Sequence, residues 1–509
     1  MDVSLLPQAR SLERRPGSIR LQSPLRVSAP PEWRGVLDTF ARDLDASVGW
    51  GVEFVENGAD LAVLEGGEGG EGFGLDVSDV ITVRARTPEA LAHALTTLRQ
   101  LGPVQMWSST RVPVTSLEFP RVSIEDEPQF SWRGVHLDVA RHFFDVAEVC
   151  RLIDLIAAHR LNRLHLHLND DQGWRVEVPL WPRLTDVGAR RRSSPLGHED
   201  EGRDDNVAHG GFYTAADVAV IREHAARRFV RIVPEVDLPG HAQAAIAAYP
   251  ELGNIDEPLE VWTRWGVSEH VLNVSDVALN FAEEVVSYVA GLFPDSPVHI
   301  GGDECPTTEW AKSEEAREIM RRRGFSDPRQ LQGLFTQRLA RALREAGHEV
   351  VAWDDVLDAE VEDGTIIAAW RGPHKGVEAA RRGLDVVMAP MEFLYFDWLN
   401  SNDPSEPVAL APPPFSTPWE KVYGFSVMPE ELEEGLGHHV LGAQAQLWTE
   451  YIATRDRLDY MAFPRVSVFS EVVWGTATTL EDFRPRLEAH LGRLAAMGVR
   501  YRPLDPHGH

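Results

Sequence analysis

The sequence predicts a (β/α)8 barrel of the TIM type preceded by a small α/β domain. Eight short apolar runs recur between Gly134 and Gln446, and each run ends in polar or charged residues. Several runs are apolar on both faces, as buried parallel strands are. Amphipathic helical stretches lie between many of them, which is the alternation of a barrel. The 509 residues leave room for one barrel of ~250 residues or more and a second domain.

Composition excludes several classes of protein. With 43% hydrophobic and 25% charged residues, the chain has ordinary globular composition. Its formal charge of −29 disfavours nonspecific binding to nucleic acid or to an anionic membrane surface. Two cysteines, Cys150 and Cys305, cannot form a disulfide scaffold in a chain of this size. No apolar run approaches the ~18 residues that span a bilayer.

The first residues, Met1 to Arg20, are polar and lack the apolar core of a secretory signal. We therefore expect a cytoplasmic protein, although a secreted protein that has lost its signal peptide would give the same pattern.

The N-terminal residues 1–125 are predicted to form a small α/β domain that carries no obvious chemistry. Its expected elements are a helix over Val36–Leu44, a strand over Ile81–Arg86 and a helix over Pro88–Leu101. The segment Pro120–Pro128 is expected to be the linker, and residues 126–509 are expected to form the catalytic barrel.

The eight barrel strands are predicted from the apolar runs. They are expected at Gly134–Val139, Arg163–Leu168, Val230–Val236, Val298–Ile300, Glu349–Trp353, Thr365–Trp370, Asp385–Met388 and Val440–Gln446. Helices are expected at Asp145–His159, Ala215–Arg227, Leu279–Leu292 and Pro328–Ala346. Between Asp355 and Thr365 there is little room for a helix, so the fifth helix should be stunted. Pro390–Val440 is rich in proline, so a loop should replace the seventh helix.

The carboxyl ends of barrel strands carry the chemistry of such folds. The residues at these ends are mainly acidic and aromatic. They are Asp138, Arg141, His167, Asp170, Asp171, Glu235, Asp237, His241, Asp303, Glu304, Trp353, Asp354, Trp370, Arg371, Glu392, Tyr395, Asp397, Trp448 and Glu450. Indole faces suit the C–H faces of sugar rings, although core filling is the more common role of any single tryptophan.

The most specific segment is HIGGDE, from His299 to Glu304. Two glycines let the backbone leave the strand tightly. Two adjacent carboxylates cannot both ionise freely, and burial raises one pKa further. This arrangement supplies a general acid near neutral pH. A bare Asp-Glu pair would more often cap a helix, but the Gly-Gly prefix at a strand end favours a catalytic pair.

The string HIGGDE resembles the signature of glycoside hydrolase family 20, the β-N-acetylhexosaminidases. Five further segments resemble the family in the same order, namely WRGVHLDVARHFF, HLHLNDDQGWR, GGFYT, PEVDLPGHAQAAIAAYPEL and GAQAQLWTEYI. The resemblance runs from about Arg121 to the C-terminus. It implies an exo-acting, retaining enzyme that releases terminal β-linked GlcNAc or GalNAc from an oligosaccharide or glycoconjugate. It also implies substrate-assisted catalysis through an oxazolinium intermediate.

The resemblance also implies catalytic roles. Glu304 is expected to be the general acid/base, and Asp303 is expected to orient the 2-acetamido group of the substrate. Tyr395 is expected to hydrogen-bond the acetamido oxygen. His241 and Asp170 are expected to support Glu304.

Substrate-binding residues follow from the same resemblance. Trp353, Trp370 and Trp448 are expected to wall the sugar pocket. Arg133 and Glu450 are expected to hold the 3- and 4-hydroxyls, and Asp397 and Trp419 to lie at the 6-hydroxyl end. Position alone would place Arg133, which opens its strand, in a salt bridge at the bottom of the barrel.

Two other functions are open to the sequence. His165 and His167, with His241 and Asp303, could form the metal site of an amidohydrolase-type barrel. Crowding by Asn169 and Asp170 and the tryptophan-rich rim argue against it, and we expect neither a metal nor a cofactor. A non-catalytic sugar-binding protein would bind N-acetylglucosamine without cleaving its aryl glycoside. The natural glycan, the preference between GlcNAc and GalNAc and the oligomeric state are left open.

Overall fold

The computed structural model describes residues 3–67, 69–197, 202–410 and 414–504. Within these residues the chain folds into an N-terminal mixed sheet with two main helices, followed by a closed barrel. No helix of the described residues is long and apolar enough to cross a bilayer.

The N-terminal sheet has seven strands in its described part, in the order β1-β7-β5-β6-β4-β2-β3. The strands are β1 (Ser11–Gln22), β2 (Leu25–Ser28), β3 (Val52–Phe54), β4 (Leu61–Glu65), β5 (Phe73–Val77), β6 (Ile81–Ala85) and β7 (Ser116–Asp126). Helices α1 (Arg34–Val48) and α2 (Pro88–Leu101) pack their apolar faces into the hydrophobic core of this sheet. In α1 these are Leu37, Phe40 and Leu44, which the helical repeat brings to one side.

The predicted linker is wrong. Most of Pro120–Pro128 belongs to strand β7, which pairs with β1 and β5. Alternate residues of β7, among them Val122 and Ile124, are buried in the sheet core. Pro120 suggested a break, but the pairing of β1 with β7 shifts register between Arg14 and Ser18, beside this proline. A bulge of this kind accommodates a residue that cannot complete a regular ladder.

The barrel prediction is confirmed. In the described chain eight parallel strands close in the order β14-β15-β16-β17-β18-β19-β8-β9. They are β8 (Trp132–Asp138), β9 (Arg163–His167), β14 (Arg231–Glu235), β15 (Val298–His299), β16 (Val350–Trp353), β17 (Thr365–Ala369), β18 (Val386–Met388) and β19 (Val440–Leu447). Short strands in the loops are β10 (Asn169–Asp170), β11 (Gly173–Trp174), β12 (Arg190–Arg191) and β13 (His209–Gly210).

Helices connect most of the barrel strands. They are α3 (Val146–Ala158), α4 (Arg183–Asp186), α5 (Ala215–Arg227), α6 (Gln243–Ala248), α7 (Asp276–Leu292), α8 (Thr308–Lys312), α9 (Glu314–Arg323), α10 (Gln332–Glu345), α11 (Pro373–Arg381), α12 (Met391–Leu394), α13 (Trp419–Tyr423), α14 (Arg455–Ala462), α15 (Arg465–Trp474) and α16 (Leu480–Ala496). As predicted, the fifth connection has only a short 3-10 helix, Asp354–Asp358. The seventh is a long loop whose described part contains α12 and α13, of four and five residues.

The barrel lumen has its own apolar cluster. It includes Trp132, Val233, Val351 and Trp353, and it extends upward to Trp448 at the rim. Strand register explains this, because every second residue of each strand points inward. The packed side chains of the lumen therefore lie directly beneath the residues at the rim and support them.

Candidate active site

A cavity of about 310 Å³ opens at the carboxyl ends of the barrel strands. It is lined mainly by acidic, aromatic and basic side chains, with two aliphatic ones, that come from most of the strand ends. They are Arg141, His241, Asp303, Glu304, Trp370, Met391, Tyr395, Trp398, Leu410, Trp448 and Glu450.

Asp303 and Glu304 reach this cavity through a sharp turn after β15. Gly301 and Gly302 have φ values of +65° and +91°, a conformation that glycine adopts without strain. A Cβ atom on Gly301 would lie 1.8 Å from Oδ1 of Asp237, so a larger residue cannot stand there. Glu304 itself has φ of +46°, a conformation that costs on the order of 1–3 kcal/mol for a non-glycine residue. Such strain is typical of a side chain held in place for function.

Asp303 is deeply set, whereas Glu304 reaches toward solvent. Their side chains are 11% and 43% exposed. Burial and the neighbouring carboxyl of Asp237 raise the pKa of Asp303 well above its usual range, although the imidazole of His241 opposes the shift. Burial also raises the pKa of Asp237, to about 8. These two contacting carboxyls therefore hold at least one proton between them at neutral pH.

The backbone amide of Gly302 donates to Oδ1 of Asp237 at 2.8 Å. This fixes the turn that carries Asp303 and Glu304. Asp237 follows strand β14 and is a residue that the family resemblance did not bring out, although the strand-end positions include it.

Asp237 gives a pH dependence of stability with a definite sign. Its folded pKa of about 8 lies above the value of ~3.9 expected in the unfolded chain. The stabilisation by this group is therefore complete below pH ~4 and is lost as pH rises toward 8, at up to about 1.4 kcal/mol per pH unit. Asp237→Asn removes this titration. The melting temperature of the variant, relative to that of the wild type, should therefore rise between pH 5 and pH 8.

Thermal melts of both proteins across this range check the expectation. Asp295→Asn, at an exposed position, is the control and should follow the wild type at every pH. Parallel melting curves for Asp237→Asn and wild type would show that Asp237 titrates normally in the fold.

His241 stands between the inner and outer carboxylates of the site. Its Nδ1 lies 3.2 Å from Oδ1 of Asp170, and its Nε2 lies 3.8 Å from a carboxylate oxygen of both Asp303 and Glu304. Burial alone would lower the pKa of His241, but Asp170 and Asp303 hold it well above its usual range. The imidazolium places a positive charge beside the acidic pair.

Aromatic rings wall the cavity. Trp370 and Tyr395 lie stacked with ring centroids 6.3 Å apart, and Tyr395 and Trp448 are also 6.3 Å apart. Trp353 lies beneath them, 6.1 Å from Trp448. The Trp370 indole N–H donates to Asp355 at 2.7 Å, and the same aspartate accepts the backbone amide of Glu304. The carboxylate of Asp355 thus fixes both the Trp370 ring in the cavity wall and the turn that carries Glu304.

Arg141 and Glu450 line the inner end of the cavity, and Asp397 is buried close to Glu450. Arg141 bonds Asp170 at 2.8 Å and the Gln172 side chain at 3.0 Å. Burial raises the pKa of Glu450 to about 7 and that of Asp397 well above its usual range. Among the described residues, the two carboxylate oxygens of Asp397 and Oε2 of Glu450 are buried without a hydrogen-bond partner. Buried polar groups are normally paired, so these oxygens are free to accept hydrogen bonds from a ligand that carries hydroxyl groups.

The expected position of Arg133 is wrong. Arg133 lies near the start of β8, at the opposite end of the barrel, and its side chain is fully buried. Its guanidinium forms an ion pair with Glu71 of the N-terminal sheet region, and it donates to the carbonyls of Phe130 at 2.8 Å and Arg160 at 3.0 Å. The charge that faces Glu450 comes instead from Arg141, eight residues further along the same segment.

The expected position of Trp419 is also wrong. It lies in α13 and packs on Phe483 of α16, with ring centroids 6.1 Å apart. Trp398, in the same long loop, lines the cavity and contacts Phe415. Trp419, which was expected at the 6-hydroxyl end of the sugar, is therefore not part of the cavity wall, and Trp398 is the tryptophan of this loop that lines it.

The four groups of the metal hypothesis do not converge. His165 and His167 both turn into the lumen toward Glu235, whereas His241 and Asp303 face the cavity. Within the described ranges, no close group of possible metal ligands joins His165 to His241 or Asp303. The amidohydrolase arrangement is therefore not formed.

The fold and the site define a barrel enzyme that acts on carbohydrate. The sequence model of the glycosyl hydrolase family 20 catalytic domain matches residues 130–477, and that of domain 2 of the same family matches residues 2–127. The chain belongs to glycoside hydrolase family 20.

Individual relatives agree with this. A beta-hexosaminidase of Porphyromonas gingivalis is 36% identical over 84% of this chain, which spans 54% of that relative. A beta-N-acetylhexosaminidase of Cellulomonas fimi is 32% identical, with 98% of this chain and 96% of the relative covered.

Solved structures show the same fold. The N-acetyl-beta-hexosaminidase of Streptomyces plicatus, in complex with Thio-NAglucal, matches with a TM-score of 0.84 and 31% identity over 98% of this chain and 96% of its own. The GH20 exo beta-N-acetylglucosaminidase of Vibrio harveyi, in complex with N-acetylglucosamine, matches with a TM-score of 0.86 and 29% identity over 99% of this chain and 78% of its own.

A matched pair of variants separates the two arginines. Arg141→Met should weaken binding of N-acetylglucosamine about 10- to 100-fold, because hydrogen bonds to a charged group are lost. Arg133→Met should leave binding by the folded protein unchanged but lower its unfolding free energy by about 3–5 kcal/mol, because Glu71 loses its buried partner. Calorimetric titration and thermal melts of both variants measure these effects. The opposite pattern, with weaker binding in Arg133→Met alone, would restore the sequence-based assignment.

Proposed function

We propose that this protein is a retaining, exo-acting β-N-acetylhexosaminidase that removes terminal β-linked GlcNAc or GalNAc by substrate-assisted catalysis. The observation that carries the proposal is the pair Asp303 and Glu304 in one aromatic-walled cavity, with the His241 imidazole within 3.8 Å of both carboxylates. The two acids have different surroundings, and this suits them for different tasks.

In the first step Glu304 donates a proton to the glycosidic oxygen, and the bond from that oxygen to C1 breaks. The acetamido oxygen of the same sugar attacks C1 and forms a five-membered oxazolinium ring, with the leaving alcohol released. Asp303 accepts a hydrogen bond from the acetamido N–H and stabilises the positive charge that develops there. Transfer to Asp237 of the proton that the two carboxyls share leaves Asp303 with this negative charge and Asp237 neutral.

In the second step Glu304, now a carboxylate, removes a proton from water. The water oxygen attacks C1 and opens the oxazolinium ring, so that the sugar leaves with its original β configuration and Glu304 regains its proton. Trp370, Tyr395 and Trp448 hold the acetamido group against C1 and shield the intermediate from premature attack.

The inner end of the cavity fits the non-reducing end of the substrate. Arg141 offers N–H donors, and Glu450 and Asp397 offer buried acceptors that lack partners in the described structure. Charge-assisted hydrogen bonds of this kind hold a terminal sugar in one orientation. The same groups can meet an equatorial or an axial 4-hydroxyl, so both GlcNAc and GalNAc are proposed as substrates.

Hydrolysis of defined glycosides tests the proposal. The 4-nitrophenyl β-glycosides of GlcNAc and GalNAc should be cleaved with release of the β-anomer, and chitobiose should yield two molecules of GlcNAc. The 4-nitrophenyl β-glucoside, which lacks the acetamido group, should remain intact. Binding of N-acetylglucosamine without release of nitrophenol would instead identify a sugar-binding protein.

A further inference from the structure

Beneath the sugar cavity, the barrel lumen holds a row of buried polar side chains that the mechanism does not use. Glu235 ends strand β14 and is fully buried. Its Oε1 accepts a hydrogen bond from the indole N–H of Trp353 at 2.7 Å. Its Oε2 lies 2.5 Å from Nδ1 of His167, at the end of β9. Glu235 therefore joins the floor tryptophan to His167.

The row continues to the catalytic pair. Nε2 of His167 lies 2.9 Å from Oδ2 of Asp170, and Oδ1 of Asp170 lies 3.2 Å from Nδ1 of His241. Nε2 of His241 is 3.8 Å from both Asp303 and Glu304. Carboxylates and imidazoles thus alternate from Trp353 to Glu304. His167 is hydrogen-bonded through both of its nitrogens, whereas Nε2 of His241 meets the catalytic pair by charge at 3.8 Å and not through a hydrogen bond.

The two bonds of His167 fix its protonation. Both ring nitrogens face carboxylate oxygens, so both must carry a proton, and His167 is an imidazolium between two anions. Burial alone would lower its pKa, but Glu235 and Asp170 raise the pKa of His167 to about 10. Charge-assisted hydrogen bonds in a dry lumen are short and directional. They leave Asp170 little freedom to turn away from His241.

We propose that Glu235 and His167 are positioning residues that couple the tryptophan floor of the sugar cavity to Glu304, through Asp170 and His241. The inference rests on the proposed function, because the acid/base role of Glu304 is part of it. Neither residue touches the substrate. Glu235 and His167 act by fixing the position of Trp353 relative to the Asp170–His241 pair.

His165 provides a matched control inside the same lumen. Its Nε2 lies 3.1 Å from Oε2 of Glu235, but its Nδ1 faces the Gln444 side chain at 2.9 Å. Burial lowers the pKa of His165 to about 4, so it is neutral. It contacts the same glutamate as His167 and is as deeply buried, but its other bond leads away from the catalytic pair.

A double-mutant cycle tests the coupling. Glu235→Gln keeps the shape of the side chain but cannot hold His167 as a cation. This variant should lower kcat about tenfold for the phenyl glycoside, because phenol is a poor leaving group that needs protonation by Glu304. The loss of kcat should be smaller for the 4-nitrophenyl glycoside, whose leaving group needs less protonation. Combined with Asp170→Asn, it should add almost nothing to the loss that Asp170→Asn causes alone, because both break the same row. His165→Asn should leave kcat within about twofold and should combine with Asp170→Asn additively.

A spectroscopic measurement that needs no activity accompanies the cycle. Proton NMR of the protein labelled with 15N-histidine should show a low-field imidazole N–H resonance that disappears in Glu235→Gln and in His167→Asn but persists in His165→Asn. Trp353→Phe, which keeps an aromatic side chain but removes the N–H donor to Glu235, should retain the resonance and shift it.

These results have separate meanings. Multiplicative losses in the Glu235→Gln, Asp170→Asn double variant, or an unchanged low-field resonance in Glu235→Gln, would overturn the coupling. Failure of the wild type to cleave any aryl glycoside would overturn the proposed function, and the resonance would still report whether the row exists.

Discussion

Replacing Glu304 by glutamine should lower kcat for the phenyl β-glycoside of GlcNAc by about 10²- to 10⁴-fold, the contribution of a general acid/base. The amide keeps the shape and the exposed position of the side chain but cannot give up a proton to the leaving oxygen. With 2,4-dinitrophenol as leaving group the first step needs no acid. The second step, removal of a proton from water, then limits the rate.

This leads to a further expected result for Glu304→Gln. Azide attacks C1 without losing a proton, so it should accelerate the variant on the dinitrophenyl glycoside and give the β-glycosyl azide. Binding of N-acetylglucosamine should stay near that of the wild type. Glu309→Gln, five residues along in helix α8 and outside the cavity, is the control and should turn over normally. An unchanged kcat on the phenyl glycoside would remove Glu304 from the acid role.

Replacing Asp303 by asparagine should lower kcat about 10²- to 10³-fold, which is the size of loss seen when one preorganised electrostatic partner is removed. The neutral amide cannot balance the positive charge that develops on the acetamido nitrogen, and it can present its own N–H to the substrate N–H. Unlike Glu304→Gln, this variant should lose activity on good and poor leaving groups alike, since ring formation is impaired in every case.

The thiazoline derived from N-acetylglucosamine measures this effect without turnover. It has the bicyclic shape of the intermediate, so wild type and Glu304→Gln should bind it tightly, while Asp303→Asn should bind it at least tenfold more weakly. Equal affinity of the three proteins would show that Asp303 does not stabilise the intermediate.

The barrel was predictable because each of its strands is marked by the residues of its own short segment. Buried parallel strands are apolar on both faces, and the eight runs mark them within one or two residues. The catalytic turn was predictable for a related reason, since Gly301 and Gly302 are needed where the chain passes Asp237 within 3 Å. Strand β7 was missed because Pro120 interrupts its alternation, and only pairing with β1 shows how the sheet accommodates it.

The errors in the site come from choices between similar residues. Arg133 and Arg141 lie in one segment, and the family resemblance selected the first. The position of Arg133 at the start of its strand already favoured the barrel bottom, and the strand-end positions already contained Arg141. Trp398 and Trp419 lie in a long loop without periodicity, where nothing in the sequence fixes which ring faces the sugar.

The proton arrangement could not be predicted from the sequence. Asp237 and Glu235 lie on the same short segment, yet the pKa of one is raised and that of the other lowered well below its usual range. The difference arises because Asp237 meets the carboxyl of Asp303, whereas Glu235 is surrounded by His165, His167 and His299. Such contacts join different strands and exist only once the barrel closes.

The central claim is that the acetamido oxygen of the substrate, and not a protein side chain, attacks C1. Fluorine substitution of the N-acetyl group tests it most directly, because each fluorine withdraws electrons from that oxygen while it changes the shape of the sugar very little. Across the 4-nitrophenyl glycosides with N-acetyl, N-fluoroacetyl, N-difluoroacetyl and N-trifluoroacetyl groups, kcat/KM should fall steeply and regularly with each fluorine. A series of rates that stays flat would mean that the amide takes no part in bond formation, and the account given for Asp303 would fail with it.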